Sequence, residues 1–225
     1  MNISFTSNIK FIPKSEFDNI YENKFSPSPS SQFIIYGERI KGRNIQICDN
    51  AGTHQVRDCS AGGFINEQGI GMFHFFPYES NIASADNVFA EELYSKIGNP
   101  KSGFLFGSKD YTDSYYNNKD ELSFTAMSLF DKLKEILSKK VDISSFKTHL
   151  NLAAQTNALY IKSEDTIYMN TELIREDTSH LKDCILSPED IENTFEKAYI
   201  SPNDKLFINE IEVLPKEYPE LFILA

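Results

Sequence analysis

The sequence predicts an α/β protein in which a central mixed β-sandwich is flanked by helices. Short apolar runs bounded by Gly, Asn, Asp or Pro recur along the chain, which is typical of strands. Two longer segments carry apolar residues at helical spacing. With 225 residues, the chain is long enough to bury a self-sufficient core without disulfides.

The first half of the chain is predicted to be rich in strands, after a polar leader. Residues 1–31 are rich in Asn, Ser, Lys and Pro and end in a Ser-Pro-Ser-Pro-Ser run, which indicates an extended leader or linker outside the core. We expect strands at 33–36, 44–48, 61–65 and 71–76.

Two helices are predicted in the middle of the chain. Ser84 is expected to cap the first, which ends at the stop signal Gly98-Asn99-Pro100. The apolar face of residues 120–138 predicts the second and clearest helix. A strand at 102–106 is expected between them.

The sheet is expected to resume after the second helix and to be followed by an extension. The predicted elements are a strand at 146–150, a hairpin of 158–162 with 166–170, a helix at 188–199 and a strand at 205–214. We therefore divide the chain into a leader (1–31), a main domain (32–172) and a helix-strand extension (173–225) packed on that domain.

Charge and composition exclude several classes of function. The chain has 22 Lys and Arg against 33 Asp and Glu, a net charge of −11, so we expect no nucleic-acid partner. Such a surface favours a protein partner with a basic face. There is no apolar stretch of membrane-spanning length and no apolar core of a secretion signal, so we expect no membrane partner. Three cysteines, an odd number, favour a reducing, cytosol-like compartment.

Common cofactor motifs are absent from the sequence. Neither a Walker loop nor a strand-turn-helix GxGxxG occurs, which gives nucleotide binding no support. Cys48, His54, Cys59 and His74 lie near one another in sequence, but without the short paired spacings of structural zinc sites. We therefore expect no cofactor and no metal.

Cys59 and His74 are a candidate nucleophile and base. Cys59 is followed by small residues, and His74 stands 15 positions later in a strand-like run. The backbone N–H groups of Cys59, Ser60 and Ala61 could face a developing oxyanion. The alternative is that Cys59 is a small buried hydrophobe and His74 a core histidine. His54 is a second candidate base, or a solvent-facing loop residue.

The remaining cysteines, histidines and a group of three tyrosines are not expected to take part in the chemistry at Cys59. Cys48 and Cys184 are expected to be inert thiols, and His149 and His180 to be structural or exposed. Tyr111, Tyr115 and Tyr116 lie in a polar insertion and are either a surface loop or an aromatic rim that grips a substrate.

The spacing of Thr53 and Cys59, the Gly71-Met72-Phe73-His74 run that ends at Pro77, and the order of the elements resemble the CheD-type chemotaxis glutamine deamidases. Their fold is shared with the cytotoxic necrotising factor and lethal-factor-type toxin deamidases. The resemblance covers roughly residues 32–170. It implies that Cys59 is the nucleophile, His74 the general base and acid, and Thr53 the residue that orients the imidazole.

The same resemblance implies a protein glutamine deamidase. The Cys59 thiolate would attack a glutamine carboxamide, ammonia would leave, and water would hydrolyse the thioester to glutamate. A bacterial protein, cytoplasmic or delivered as an effector into a host cell, and a monomer are then expected. A transglutaminase, a papain-type cysteine protease and an inactive binding module with the same fold remain alternatives.

Overall fold

The protein is a two-sheet sandwich with helices on both outer faces, which confirms the predicted α/β class. The computed structural model describes residues 8–34, 47–56, 59–108, 119–151, 154–173, 195–200, 206–208, 211–213 and 222–224. Apolar side chains from both sheets form one core between them. Two further cores lie beneath the helices on either side.

The first sheet has seven strands in the described part of the chain. These are β1 (Asn8–Phe11), β2 (Ser31–Phe33), β3 (Asn50–Val56), β8 (Ala154–Ile161), β9 (Thr166–Leu173), β11 (Leu206–Ile208) and β12 (Ile211–Val213). Their order is β12-β11-β9-β8-β3-β2, and β1 also pairs with β9, in parallel. The pairs of β9 with β11 and of β2 with β3 are parallel, and β8 pairs antiparallel with both β9 and β3, so this sheet is mixed.

The second sheet has six strands within the described residues. These are β4 (Ser60–Asn66), β5 (Gly69–Phe75), β6 (Ser102–Ser108), β7 (Phe146–Asn151), β10 (Phe195–Ile200) and β13 (Phe222–Leu224). Their order is β13-β10-β7-β6-β4-β5, so β5 is the last strand at one side and β4 is its inner neighbour.

Helices cover the outer face of each sheet. Helix α1 (Lys14–Ile20) continues into a π-helical turn, Tyr21–Phe25, and packs on the first sheet. Helices α2 (Glu79–Ser84), α3 (Asn87–Ile97) and α4 (Lys119–Ser138) follow later in the chain. The apolar faces of α3 and α4 bury against the second sheet. The layers are therefore helix, sheet, sheet and helix.

The prediction of a leader outside the core is wrong for the described part of residues 1–31. Strand β1 pairs with β9, and Phe17 and Ile20 of α1 and Phe25 of the π-helical turn are buried against the first sheet. The Ser-Pro run, which favours an extended linker, occupies only the end of this segment, after the strand and the helix. The segment crosses the outer face of the first sheet and supplies its helical layer.

The start of the third helix also differs from the prediction. Asp86, not Ser84, is the N-cap of α3, and its side chain accepts a hydrogen bond from the Phe89 backbone N–H at 2.9 Å. Ser84 instead ends the short helix α2. Both residue types cap helices well, so local sequence alone does not separate them.

The C-terminal prediction is wrong in its secondary structure. Residues 195–199, expected to end a helix, lie in β10, which pairs with β7 and β13; residues 188–194 lie outside the described residues. The strand expected at 205–214 is instead the pair β11 and β12. The extension therefore adds strands to both sheets, because pairing with an existing sheet edge outweighs weak helical periodicity.

Most of the remaining predicted elements are confirmed, with shifted ends. The strands at 61–65, 71–76, 102–106 and 146–150, the hairpin of 158–162 with 166–170, and the helix at 120–138 are all present. Strand β2 ends at Phe33, and Cys48 makes only a single bridge to Ile70; residues 35–36 and 44–46 lie outside the described part. Strand β3 was not predicted.

Candidate active site

The hairpin of β4 and β5 places His74. Its turn is fixed by Asn66, whose side-chain oxygen accepts hydrogen bonds from the backbone N–H groups of Gln68 and Gly69 at 2.8 and 3.1 Å. Gly69 has a φ of 148° and lies against the backbone of Cys48, where a Cβ atom would not fit. This turn sets an antiparallel register in which Ala61 faces His74.

Two rows of residues face each other across the space between the sheets. In the second sheet the row is His74, Ala61, Phe106 and His149, and in the first sheet it is Thr53, Ala158, Met169 and Phe11. The rows touch at both ends: Thr53 contacts His74, and the rings of Phe11 and His149 meet edge to face with centroids 4.8 Å apart. His149 is therefore a buried histidine of the core, as expected for a structural role.

Thr53 and His74 are hydrogen-bonded between the sheets. The Thr53 hydroxyl lies 2.8 Å from Nδ1 of His74 and donates its proton to the carbonyl oxygen of Ile34 at 2.6 Å. A hydroxyl has one proton, and a carbonyl oxygen can only accept, so Nδ1 of His74 must be the donor to Thr53. The neutral imidazole then carries its proton on Nδ1 and its lone pair on Nε2.

Cys59 lies on the same inner face as His74. It directly precedes β4 and packs in the core between the sheets, in a thiol form that makes no disulfide. Because Ala61 faces His74, Cys59 is the diagonal neighbour of His74 on the adjacent chain segment. Such neighbours have Cα atoms roughly 7–8 Å apart, a separation that side chains can bridge.

All three expected site residues are deeply buried. Cys59 is 5% exposed, His74 2% and Thr53 0%. Burial strengthens the hydrogen bonds that hold the imidazole, because the local dielectric constant is low. It also means that a substrate side chain must enter the protein to reach the thiol.

The expected oxyanion donors are not equivalent. Ser60 and Ala61 lie in β4, which pairs with β5 on one side and with β6 on the other. A residue in such a central strand uses its N–H in the sheet, so the amides of Ser60 and Ala61 are poor oxyanion donors. The amide of Cys59, which precedes the strand, is the better candidate donor.

His54 is not placed to act as the base. Its ring packs against Phe33 on the outer face of the first sheet, with centroids 4.8 Å apart, whereas Thr53 points to the inner face. Burial lowers the pKa of His54.

Cys48 is also unsuited to catalysis, because burial and the charge of Asp49 raise the pKa of its thiol to about 11.

An aromatic pair follows His74 and was not predicted. Phe76 is partly buried against the core that contains Cys59, and its ring lies 4.5 Å from that of Tyr78, which is 47% exposed. The Phe76 carbonyl accepts hydrogen bonds from Tyr78 N–H at 2.8 Å and from the Asn81 side chain at 2.7 Å. Two hydrogen bonds thus hold the turn beside the site. The tyrosines expected at the rim, Tyr111, Tyr115 and Tyr116, lie outside the described residues, as do Cys184 and His180.

Sequence reasoning missed two contributors to the site. The Ile34 carbonyl reaches Thr53 because β2 pairs with β3, and neither the pairing nor β3 was predicted. Asn157, which supports the strand after Thr53, is more than 100 positions away in sequence. Asn157 follows two other polar residues, Gln155 and Thr156, so no local signal in the sequence sets it apart.

No protein-family model matches the chain, and a search of curated proteins finds no match. Among the described residues, no cluster of three His, Cys, Asp or Glu side chains is arranged to hold a metal ion. None of the helices in that part of the chain is long and apolar enough to cross a membrane.

Proposed function

We propose that the protein is a thiol-dependent glutamine deamidase that acts on a glutamine side chain of another protein. Cys59 is the nucleophile, His74 the general base and acid, and Thr53 the residue that orients the imidazole. The observation that carries the proposal is the hydrogen bond from His74 to Thr53, which fixes the tautomer that a general base needs.

The first half of the reaction forms a thioester. Nε2 of His74 takes the proton of the Cys59 thiol, and the thiolate attacks the carboxamide carbon of the glutamine. The carbonyl oxygen becomes an oxyanion, to which the Cys59 backbone N–H can donate. The intermediate collapses as the C–N bond breaks, and the protonated imidazole gives its proton to the departing ammonia.

The second half regenerates the enzyme. Nε2 of His74 takes a proton from a water molecule, whose oxygen attacks the thioester carbon. The C–S bond breaks, and the thiolate recovers its proton from His74. The products are a glutamate side chain and ammonia. An amine that replaces water at this step would give a transglutaminase instead.

The reactivity of Cys59 tests the proposal without knowledge of the substrate. We expect iodoacetamide to modify Cys59 faster than Cys48 at neutral pH, and His74→Ala to slow the reaction at Cys59, because the thiolate then loses its proton acceptor. Mass spectrometry of tryptic peptides measures both rates. Modification of Cys59 at the rate of Cys48 would contradict the assignment of the nucleophile.

A second candidate is an inactive binding module that keeps the same fold. The burial of Cys59, His74 and Thr53 favours it, since these residues could serve packing alone. The two functions differ in a direct assay. Incubation with candidate partner proteins should release ammonia and produce the mass change of a Gln-to-Glu conversion for the deamidase, and neither for a binding module. Cleaved partner chains would instead indicate a protease.

A further inference from the structure

The strand that carries Thr53 contains a β-bulge directly after it. Between Thr53 and Val56 the pairing of β3 with β8 shifts, because two residues of β3 oppose the single residue Asn157. Gln55, the second residue of the bulge, has a φ of 55°. A residue with a Cβ atom adopts this left-handed conformation only when its surroundings hold it there.

The bulge determines which side chain of β3 faces His74. In a regular strand, side chains alternate between faces, so Thr53 and Val56 would point in opposite directions. Here both point inward: Thr53 contacts His74, and Val56 lies in the core between the sheets. If β3 were regular upstream of Val56, His54 would take the inward position and Thr53 would turn away.

Asn157 holds the bulge from the neighbouring strand. Its side-chain oxygen accepts a hydrogen bond from the Gln55 backbone N–H at 2.9 Å, and the residue is 8% exposed. Its amide nitrogen then faces the Asn170 side-chain oxygen at 3.4 Å, and the Asn170 amide nitrogen reaches the Ile12 carbonyl at 3.3 Å. The bulged amide is thus bound by a side chain in place of a strand partner.

We infer that Asn157 is a positioning residue for the reaction at Cys59. It holds the bulge in β3, the bulge turns Thr53 inward, and Thr53 fixes the Nδ1 proton of His74. This inference rests on the proposed function, because it concerns the same thiol and imidazole. Asn157 itself lies on β8 and contacts the backbone of Gln55, not the reacting groups.

The test is the pH profile of Cys59 alkylation by iodoacetamide in the full chain. Asn157→Leu should slow alkylation at neutral pH by about tenfold, the change that one unit of thiol pKa produces, and should move the profile to higher pH. Asn50→Leu is the matched control. Asn50 is 7% exposed and accepts a hydrogen bond from the Lys162 backbone N–H at 3.0 Å, at the other end of β3. Its substitution should leave the profile unchanged.

A second variant keeps the test decisive if Asn157→Leu folds poorly. Glycine adopts a positive φ with little cost, so Gln55→Gly should hold the bulge without help from the side chain of residue 157. We expect the combination Gln55→Gly with Asn157→Leu to restore the wild-type profile. An unchanged profile in Asn157→Leu, an equal shift in Asn50→Leu, or no rescue by Gln55→Gly would each overturn the inference.

Thr53→Val separates this inference from the proposed function. If Thr53→Val shifts the Cys59 profile and Asn157→Leu does not, the inference fails and the proposed function stands. If wild-type Cys59 titrates as an ordinary thiol and Thr53→Val has no effect, the proposed function fails, and the positioning role of Asn157 fails with it.

Discussion

The Thr53 hydroxyl lies 2.8 Å from Nδ1 of His74, and this hydrogen bond joins the two sheets of the sandwich. The hydroxyl is held in turn by the Ile34 carbonyl at 2.6 Å. Three separate chain segments therefore meet at one imidazole. We call this chain of hydrogen bonds, from His74 to Thr53 to Ile34, the relay. Its direction follows from the Ile34 carbonyl, which can only accept.

Thr53→Val should lower the reactivity of the Cys59 thiol without unfolding the protein. Valine fills the space of threonine but neither accepts from Nδ1 of His74 nor donates to the Ile34 carbonyl, so both hydrogen bonds are lost. We expect a loss of about 2–4 kcal/mol in the free energy of unfolding and slower alkylation of Cys59. Thr53→Ser keeps the hydroxyl and should retain most of the reactivity. Equal alkylation rates in the two variants would contradict the relay.

The part of the site that is close in sequence could be predicted, and the part that depends on pairing could not. Cys59 directly precedes β4 and His74 lies in β5 of the same hairpin, so their spacing in the sequence indicated that they are close in space. The contribution of Ile34 depends on the parallel pairing of β2 with β3, which no local pattern encodes.

The bulge in β3 explains why that strand was not predicted. The inward positions include Thr53 and Val56, which are three apart, so the alternation typical of a strand is broken. By contrast, the helix α4 has a regular apolar face, and the hairpin of β8 and β9 alternates cleanly, which made both recognisable.

Phe25→Ala tests the finding that the N-terminal segment belongs to the core. Phe25 is 3% exposed, and it packs with Leu159 and its neighbours on the outer face of the first sheet. Removal of a buried phenylalanine side chain should lower the free energy of unfolding by about 3–5 kcal/mol in urea titrations. Val88→Ala, at a side chain that is 67% exposed, is the control and should change it by less than about 0.5 kcal/mol. If both variants change the free energy of unfolding by similarly small amounts, the N-terminal segment is a leader outside the core.

Gly63→Ala tests the close approach of β4 and β5 behind the site. A Cβ atom on Gly63 would lie 1.9 Å from the backbone carbonyl oxygen of Gly71, which cannot move without shifting the strand. We expect a loss of at least about 3 kcal/mol, or failure to fold. Gly98→Ala is the comparison: a Cβ there meets nothing within 4 Å, and only the φ of 64° opposes it. That variant should lose about 1 kcal/mol. Equal losses of stability in the two variants would show that β4 and β5 can move apart to accommodate a Cβ atom on Gly63.

Cys48 provides an internal reference for the reactivity of Cys59. Burial, and then the negative charge of Asp49, raise the pKa of the Cys48 thiol to about 11. Because the thiolate is the reactive form, alkylation of Cys48 should be slow at neutral pH and should accelerate until the pH reaches that pKa. Asp49→Asn removes the smaller of the two causes, so the pKa of Cys48 should fall and its alkylation in mildly alkaline buffer should become faster.

Peptide mapping after iodoacetamide treatment over a pH series measures both cysteines in the same sample. We expect the Cys59 profile to rise at lower pH than the Cys48 profile, and only the Cys59 profile to respond to Thr53→Val. The Sγ atom of Cys48 lies 3.7 Å from the Ile70 carbonyl, on the other end of β5 from His74, so the relay has no route to it. If Thr53→Val shifts the alkylation profiles of both cysteines, the substitution disturbs the packing of the two sheets as a whole. That result would contradict a selective effect on Cys59.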